Sequence, residues 1–378
     1  MANVISRLST HAGKLERFLG ADEIARISSS MTQWHGTRPI LVGGMPARHG
    51  VWVGRGGDFT GKIDGGGFAS ALDAVADRAT RALRKVSRQS AARLDMAGFS
   101  SLSDLISEAT TGGKKADYQF NKVGTTGVLG ATNSLWRVGA QPAAGAVASN
   151  APGGNVPTRT TTGSLGLWNP TVSGDTQHFV RADVVSTVGG NTLLMYDRIF
   201  EVNKTMSSAT AETITGAPNR YQATTNTPDS ADGNFIFFET QVALGATAHA
   251  WVATYTDHDG NTGTSLPSLT GNASCIANRL DHPTGQFFAP LASGDVGIKS
   301  VQSVTCSANV TGTLAVVIGH PIAFIPTPLA NVFTIIDGIN SAFNLTRIFD
   351  DAALGFLEVI KPSTTAAAYV GNIVTVAG

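Results

Sequence analysis

The sequence predicts a mainly β fold, with an antiparallel β-sandwich or jelly-roll-like body preceded by an N-terminal helical region. Short β-rich runs recur beyond Asp117, and turn-forming Gly, Asn, Asp and Pro separate them. No helical pattern of about 10–15 residues lies between these runs, as βαβ units would require. Many short strands without intervening helices favour antiparallel pairing.

The clearest single turn lies between Tyr255 and Thr264. The chain there reads Tyr-Thr-Asp-His-Asp-Gly-Asn-Thr-Gly-Thr, between the apolar-alternating run Ala248–Tyr255 and a Thr/Ser/Leu segment that can return alongside it. Polar, glycine-containing tips between such runs are typical of hairpins. We therefore expect a β-hairpin here.

Three regions follow one another along the chain. Residues 1–67 are expected to hold a short helix at 11–28 and an extended, glycine-rich arm at Gly36–Gly67. Residues 68–115 form a helical segment. Its helix Phe68–Leu94 has apolar residues at three- or four-residue spacing, and the shorter helix Ser101–Ala109 follows. Residues 116–378 form the β-sandwich body, as one or two β subdomains.

Within the body, nine β-rich runs are predicted as strands, and Gly139–Pro157 is predicted as an irregular connection. The acid pair Asp350 and Asp351 is interpreted as the N-terminal cap of a short helix, Asp351–Leu357. The predicted strands are Gln177–Val188, Thr192–Val202, Phe235–Val242, Ala248–Tyr255, Val301–Thr305, Thr313–Ile318, Phe333–Ile336, Phe356–Ile360 and Tyr369–Val376.

The surface is predicted to be poor in charge. Only 14% of the 378 residues are charged, against roughly 25% in ordinary soluble domains, and 27 basic residues balance 27 acidic ones. Low net charge favours association, so we expect partners to cover part of this surface and do not expect nucleic acid as the main ligand. Cys275 and Cys306 could form a disulfide, but two buried thiols are favoured.

Neither a secretion signal nor a membrane-spanning stretch is recognisable. Charged residues interrupt the N-terminal stretch, and the apolar run Leu314–Ile325 is short and contains Gly319, His320 and Pro321. We therefore expect synthesis in a cytoplasm and no membrane partner.

A phosphate-loop spacing occurs at Gly56–Lys62, after a plausible strand at Val51–Val53. Ile63 stands where a magnesium-binding hydroxyl belongs, and glycines follow where a helix should begin. A glycine-rich loop without nucleotide is the favoured interpretation.

Asp257, Asp259 and Asn261 alternate like the first ligands of a calcium loop. Ser268 occupies the position of the bidentate glutamate, so a tight turn is favoured instead. His258 and His282 lie beside acids, but the histidines lack metal-ligand spacing. We assign no catalytic, cofactor-binding or metal-binding residues and expect a protein that is not an enzyme.

Three further stretches are Leu193–Phe200 leading to Thr213–Gly216, the hairpin Tyr255–Gly263, and Phe287–Ser303. They resemble virion structural proteins of tailed bacteriophages, particularly those that decorate or cement the capsid. The resemblance covers chiefly residues 190–325 and includes no functional motif.

The resemblance implies a non-enzymatic protein of the virion that is made in the cytoplasm of a host bacterium. It implies binding to the capsid exterior and stabilisation of the shell, with the major capsid protein and further copies of the chain, for example in a trimer, as partners. Two alternatives stay open. The chain could be the major capsid protein itself, with Phe68–Leu94 as a spine helix, or a tail or host-contact protein that binds glycans.

Overall fold

The computed structural model describes residues 99, 101–166, 176–206, 210–223, 229–339 and 345–378. The predicted helix at 11–28, the arm Gly36–Gly67 with its phosphate-loop spacing, and the helix Phe68–Leu94 lie outside these residues. No helix in the described part of the chain is long and apolar enough to cross a membrane.

The described residues contain one helix and sixteen strands. The helix is α1, Leu102–Thr110. The strands are β1 Lys115–Val123, β2 Asn133–Ser134, β3 Ala140–Gln141, β4 Gln177–Ser186, β5 Asn191–Met206, β6 Glu212–Thr213, β7 Phe235–Val242, β8 Ala250–Asp257, β9 Thr264–Ser265, β10 Leu269–Thr270, β11 Ile298–Cys306, β12 Val310–Thr327, β13 Thr334–Asp337, β14 Arg347–Ile348, β15 Leu354–Val359 and β16 Ala368–Ala377.

The helix α1 begins where the sequence predicts a helix, because Ser101 caps it. The Ser101 hydroxyl accepts a hydrogen bond from the Asp104 backbone N–H at 3.1 Å, which satisfies one of the unpaired donors of the first turn. The buried Leu105 packs against Phe99 and Val376 in a small apolar cluster. This cluster holds the helix against the body.

The strands form three antiparallel sheets. The terminal sheet, named for the C-terminal strand it contains, has the order β13-β4-β16-β1-β3, and β14 also pairs with β4. The hairpin sheet has the order β10-β8-β11-β6, with β9 paired to β8. The central sheet has the order β2-β15-β5-β12-β7. The body is therefore mainly β and sandwich-like, as predicted.

One face of the central sheet packs against both other sheets, and a bulge in β5 makes this possible. Pairing with β12 shifts at Ile199, so the alternation of side chains between the two faces inverts there. Leu193 and Met195, before the bulge, pack in the core shared with the terminal sheet. Phe200 and Val202, after it, pack in the core shared with the hairpin sheet.

The opposite face of the central sheet has its own apolar cluster. Tyr196, Phe235, Phe237 and Val317 form it, together with Leu280 from the segment between the hairpin sheet's strands β10 and β11. The ring centroids of Tyr196 and Phe237 lie 5.6 Å apart in an edge-on arrangement, which aromatic pairs favour. Both faces of the central sheet are thus covered.

The predicted hairpin is confirmed, and the predicted helix Asp351–Leu357 is wrong. Tyr255 pairs with Thr264 across the expected tip. Leu354–Val359 is instead the strand β15, which lies between β5 and β2 and is buried along its whole length. Pairing with distant strands overrides the local capping signal of the two acids.

Candidate functional site: an exposed apolar edge and its surroundings

The outer strand of the terminal sheet and the loop before it expose apolar side chains. Leu329 is 61% exposed, Phe333 65% and Ile335 57%, and Val332 and Ile339 are also exposed. We call these five residues the edge strip. Exposed apolar side chains that are grouped together often mark an interaction site, whereas single scattered ones are common on any protein surface.

Among the described strands, β13 stands at the edge of the terminal sheet. In the described part of the chain β13 pairs with β4 alone. The Gly338 N–H donates to the Val180 carbonyl oxygen at 2.7 Å. Because bonded and non-bonded positions alternate along an antiparallel ladder, Ile336 bonds to β4 and the peptide groups of Ile335 face outward. Such an edge can accept another strand.

The edge strip lacks the features that usually protect exposed strands. Natural edges commonly carry lysine or proline, which discourage pairing with another chain. Between Leu329 and Ile339 the charged residue is Asp337, whose Oδ1 accepts a hydrogen bond from the Ile339 N–H. The sequence carries a signal for this surface, since Val332–Ile336 contains no charged residue, although this pattern by itself predicts only a strand.

A second apolar feature is an open pocket of about 310 Å³, which we call the phenylalanine pocket. Its lining includes Leu194, Phe235, Phe287, Phe288 and Phe324. Phe287 and Phe288 belong to Phe287–Ser303, one of the three stretches that carry the sequence resemblance. Pockets of this size and composition suit an apolar group.

The polar groups of the phenylalanine pocket are already engaged. The Asn234 amide nitrogen donates to the carbonyl oxygens of Tyr221 and Ile298, and its oxygen lies 2.8 Å from His320 Nδ1. The Asp295 carboxylate accepts a hydrogen bond from the Tyr255 hydroxyl. The pocket can therefore hold an apolar group but offers little for the orientation of a reactive substrate.

Buried Arg198 pairs with two buried carboxylates. Arg198 Nε and Nη1 donate to Glu201 and Glu239 at 2.6 and 2.8 Å, and its guanidinium lies 5.0 Å from the Trp136 ring centre. Burial alone would lower the pKa of Arg198, but the two carboxylates raise it far above the ordinary value. Arg198 is therefore a permanent buried cation.

The buried His249 and Asp281 resemble part of a catalytic triad but are not free to act as one. His249 Nε2 lies 2.7 Å from Asp281 Oδ2, and its Nδ1 lies 2.9 Å from the Thr247 carbonyl oxygen. Burial alone lowers the pKa of His249, and these two hydrogen bonds raise it above its ordinary value. With both ring nitrogens engaged, His249 has none to accept a proton from a nucleophile.

The residues of the calcium-like spacing form a turn. The Asp257 carboxylate accepts hydrogen bonds from the Asn261 backbone N–H and side-chain amide, both at 2.8 Å. Burial alone raises the pKa of Asp257, but these bonds lower it overall. His258 lies 3.6 Å from Asp259. Among the described residues, no three His, Cys, Asp or Glu side chains gather as a metal site.

The remaining residues singled out from the sequence include three buried side chains and one exposed acid. His282 is buried, and its Nε2 accepts a hydrogen bond from the Phe238 N–H at 2.9 Å. Cys275 and Cys306 are both buried free thiols, as favoured by the sequence. Asp351 is 67% exposed and lies 3.6 Å from Arg159 Nε.

Comparisons with known proteins leave the family open. No protein-family model and no curated protein sequence matches the chain. A structure of the Gt strain of infectious bursal disease virus can be aligned with this chain. The alignment covers 70% of this chain and 79% of the viral chain, with 9% sequence identity and a TM-score of 0.17. The alignment with the VP2 subviral particle of the same virus covers 69% of this chain and 80% of the VP2 chain, with 8% sequence identity and a TM-score of 0.15. Similarity this low carries no functional argument.

Proposed function

We propose that the chain is a non-enzymatic structural protein of a virion, which binds the capsid exterior, associates with further copies of itself and stabilises the shell. The edge strip is the observation that carries this proposal, because it combines exposed apolar side chains with a strand that stands at the edge of its sheet among the described strands. The virion setting follows from the sequence resemblance in residues 190–325.

The size of the edge strip favours association in many copies. A fully buried large apolar side chain contributes about 1.5–3 kcal/mol, so the exposed parts of these five supply on the order of 5 kcal/mol. Association of two proteins costs roughly 4–15 kcal/mol in lost freedom of motion. One such contact is weak, whereas a subunit of a shell makes several at once.

The engaged state of the buried charges supports a structural role. Arg198 pairs with two carboxylates, and His249 uses both ring nitrogens within the body. A protein that binds only the assembled shell shifts the equilibrium towards that shell. Stabilisation would thus require binding but no chemical turnover.

Association through the edge strip is tested by sedimentation velocity of the purified chain. We expect the wild type to form oligomers and Ile335→Lys to sediment as a monomer, since the variant places a charge at the open edge. Val370→Lys is the matched control, because Val370 is 47% exposed on β16, an interior strand of the same sheet. A wild type that stays monomeric at every concentration would refute the assembly role.

Stabilisation of a shell is tested with particles that lack the protein. We expect such particles to release their DNA at a lower temperature than complete particles, and added wild-type protein to restore the difference. Equal heat stability of the two kinds of particle would exclude cementing.

A further inference from the structure

A buried lysine, glutamate and asparagine meet between β2 and the end of β15. Lys361 Nζ donates to both carboxylate oxygens of Glu358 at 2.9 Å, and Asn133 Nδ2 donates to Glu358 Oε2 at 3.0 Å. The Tyr369 hydroxyl donates to Glu358 Oε1 at 2.6 Å. Asn133 and Glu358 are fully buried, and Lys361 is 1% exposed. This group is independent of the edge strip.

Backbone pairing fixes the positions of all three residues. Asn133 and Glu358 are direct cross-strand partners of β2 and β15. The Lys361 N–H donates to the Ala131 carbonyl oxygen, and the Gly130 N–H donates to the Lys361 carbonyl oxygen, each at 2.8 Å. The lysine therefore cannot move away from the asparagine without loss of this pairing.

The lysine and asparagine nitrogens are close to each other. Both nitrogens donate to Glu358 Oε2. The distance between Lys361 Nζ and Asn133 Nδ2 is therefore at most the sum of these two hydrogen-bond lengths. A methyl group built on Gly127 would lie 3.1 Å from Asn133 Nδ2 and 3.2 Å from Lys361 Cε. The glycine thus leaves the two side chains room to approach each other.

The asparagine carbonyl has an unusual environment. Asn133 Oδ1 is buried and accepts no hydrogen bond, whereas buried polar atoms are nearly always paired. The Asn133 side chain is therefore held through its amide nitrogen, which donates to Glu358 Oε2.

We propose that Lys361 and Asn133 become joined by an isopeptide bond in the folded chain, with Glu358 as the catalytic proton carrier. Glu358 takes a proton from the Lys361 ammonium group along one of the two hydrogen bonds that join them. The neutral amine attacks the Asn133 Cγ. Close placement of amine, amide and carboxylate supplies the effective concentration for this step.

The bond changes balance without any further reactant. The Lys361 Nζ–Cγ bond forms, and the bond from Cγ to Asn133 Nδ2 breaks. One proton from Lys361 passes through Glu358 to Nδ2, which leaves as ammonia, and a second proton stays on Glu358. The charge is conserved and nothing is oxidised or reduced. The product is a covalent clamp between two segments that lie more than half the chain apart.

The proposal is tested by the intact mass of the full-length chain after folding and incubation. We expect a mass lower than the sequence mass by one molecule of ammonia, and a branched peptide in a proteolytic map that contains both Asn133 and Lys361. An asparagine succinimide would give the same mass change with an unbranched peptide, and that outcome would refute the proposal. An unchanged mass would refute it equally.

Variants separate the chemistry from burial alone. Lys361→Arg keeps the positive charge but should retain the full mass, and so should Glu358→Gln. Lys122→Arg is the matched control, because Lys122 is also 1% exposed but donates to the carbonyl oxygens of Val138 and Pro142 instead of a carboxylate. This control should still lose ammonia. If Glu358→Gln fails to fold, the peptide map of the wild type and the Lys361→Arg mass decide.

Discussion

Replacement of Arg198 by leucine should strongly destabilise the body. The variant removes the cation that pairs with Glu201 and Glu239, whose side chains are 6% and 0% exposed. Loss of one partner from a buried ion pair leaves an uncompensated charge and costs about 3–5 kcal/mol. Since folded domains are stable by only about 5–15 kcal/mol, this loss is a large part of the total.

A matched control comes from an exposed ion pair with the same nitrogen–oxygen distance. Arg181 and Asp183 lie 2.8 Å apart on β4, the same distance that joins Arg198 to Glu239, but their side chains are 48% and 22% exposed. Exposed pairs contribute about 0–1 kcal/mol. Arg181→Leu should therefore have a small effect on the free energy of unfolding.

Denaturant unfolding of the three proteins measures both effects. The midpoint should fall clearly for Arg198→Leu and little for Arg181→Leu, with unchanged slopes. A combined variant in which glutamines also replace Glu201 and Glu239 should recover part of the loss, because no unpaired carboxylate remains. Equal effects of the two arginine replacements would show that burial does not set the strength of these pairs.

Three further results are expected. Burial lowers the pKa of His282 to about 4, so this histidine is neutral when folded and the unfolding free energy should fall as pH decreases from about 6.5 to 4. Urea titrations should show a smaller fall for His282→Gln, while His178 and His320, whose pKa values burial also lowers, keep the rest of it. Burial raises the pKa of Cys275 to about 11, so its thiol should react with a disulfide reagent only on unfolding, and fast labelling of native protein would contradict its burial. Gly297→Ala should lower the melting temperature, because the added carbon would overlap the Ala231 carbonyl oxygen.

The sequence predicted the body's strands best where apolar runs and turn residues coincide. β7 has the predicted bounds, Phe235–Val242, because a glycine and an asparagine precede a dense aromatic run. β12 was predicted to end at Ile318, but it continues to Thr327 through Gly319 and Pro321. The pairing register shifts at these positions, and such shifts depend on the partner strand β5 rather than on local sequence.

The candidate sites differ in how far the sequence could show them. The edge strip has a local signal, an apolar strand without neighbouring lysines. The cluster of Asn133, Glu358 and Lys361 has none, because 225 residues separate Asn133 from Glu358 and only strand pairing brings them together. For the same reason the acid pair at Asp350 was misinterpreted: its local pattern indicates a helix, whereas the following residues pair with a strand far away.

The length of β5 and β12 has a consequence for any attempt to divide the body. These two strands contribute side chains to all three large apolar clusters. Cleavage of the chain that separates one sheet would therefore remove packing partners from the other two sheets. We expect calorimetry to record a single heat-absorption peak for the body and limited proteolysis to yield no smaller stable fragment. Mechanical load on one sheet would then be shared by all three.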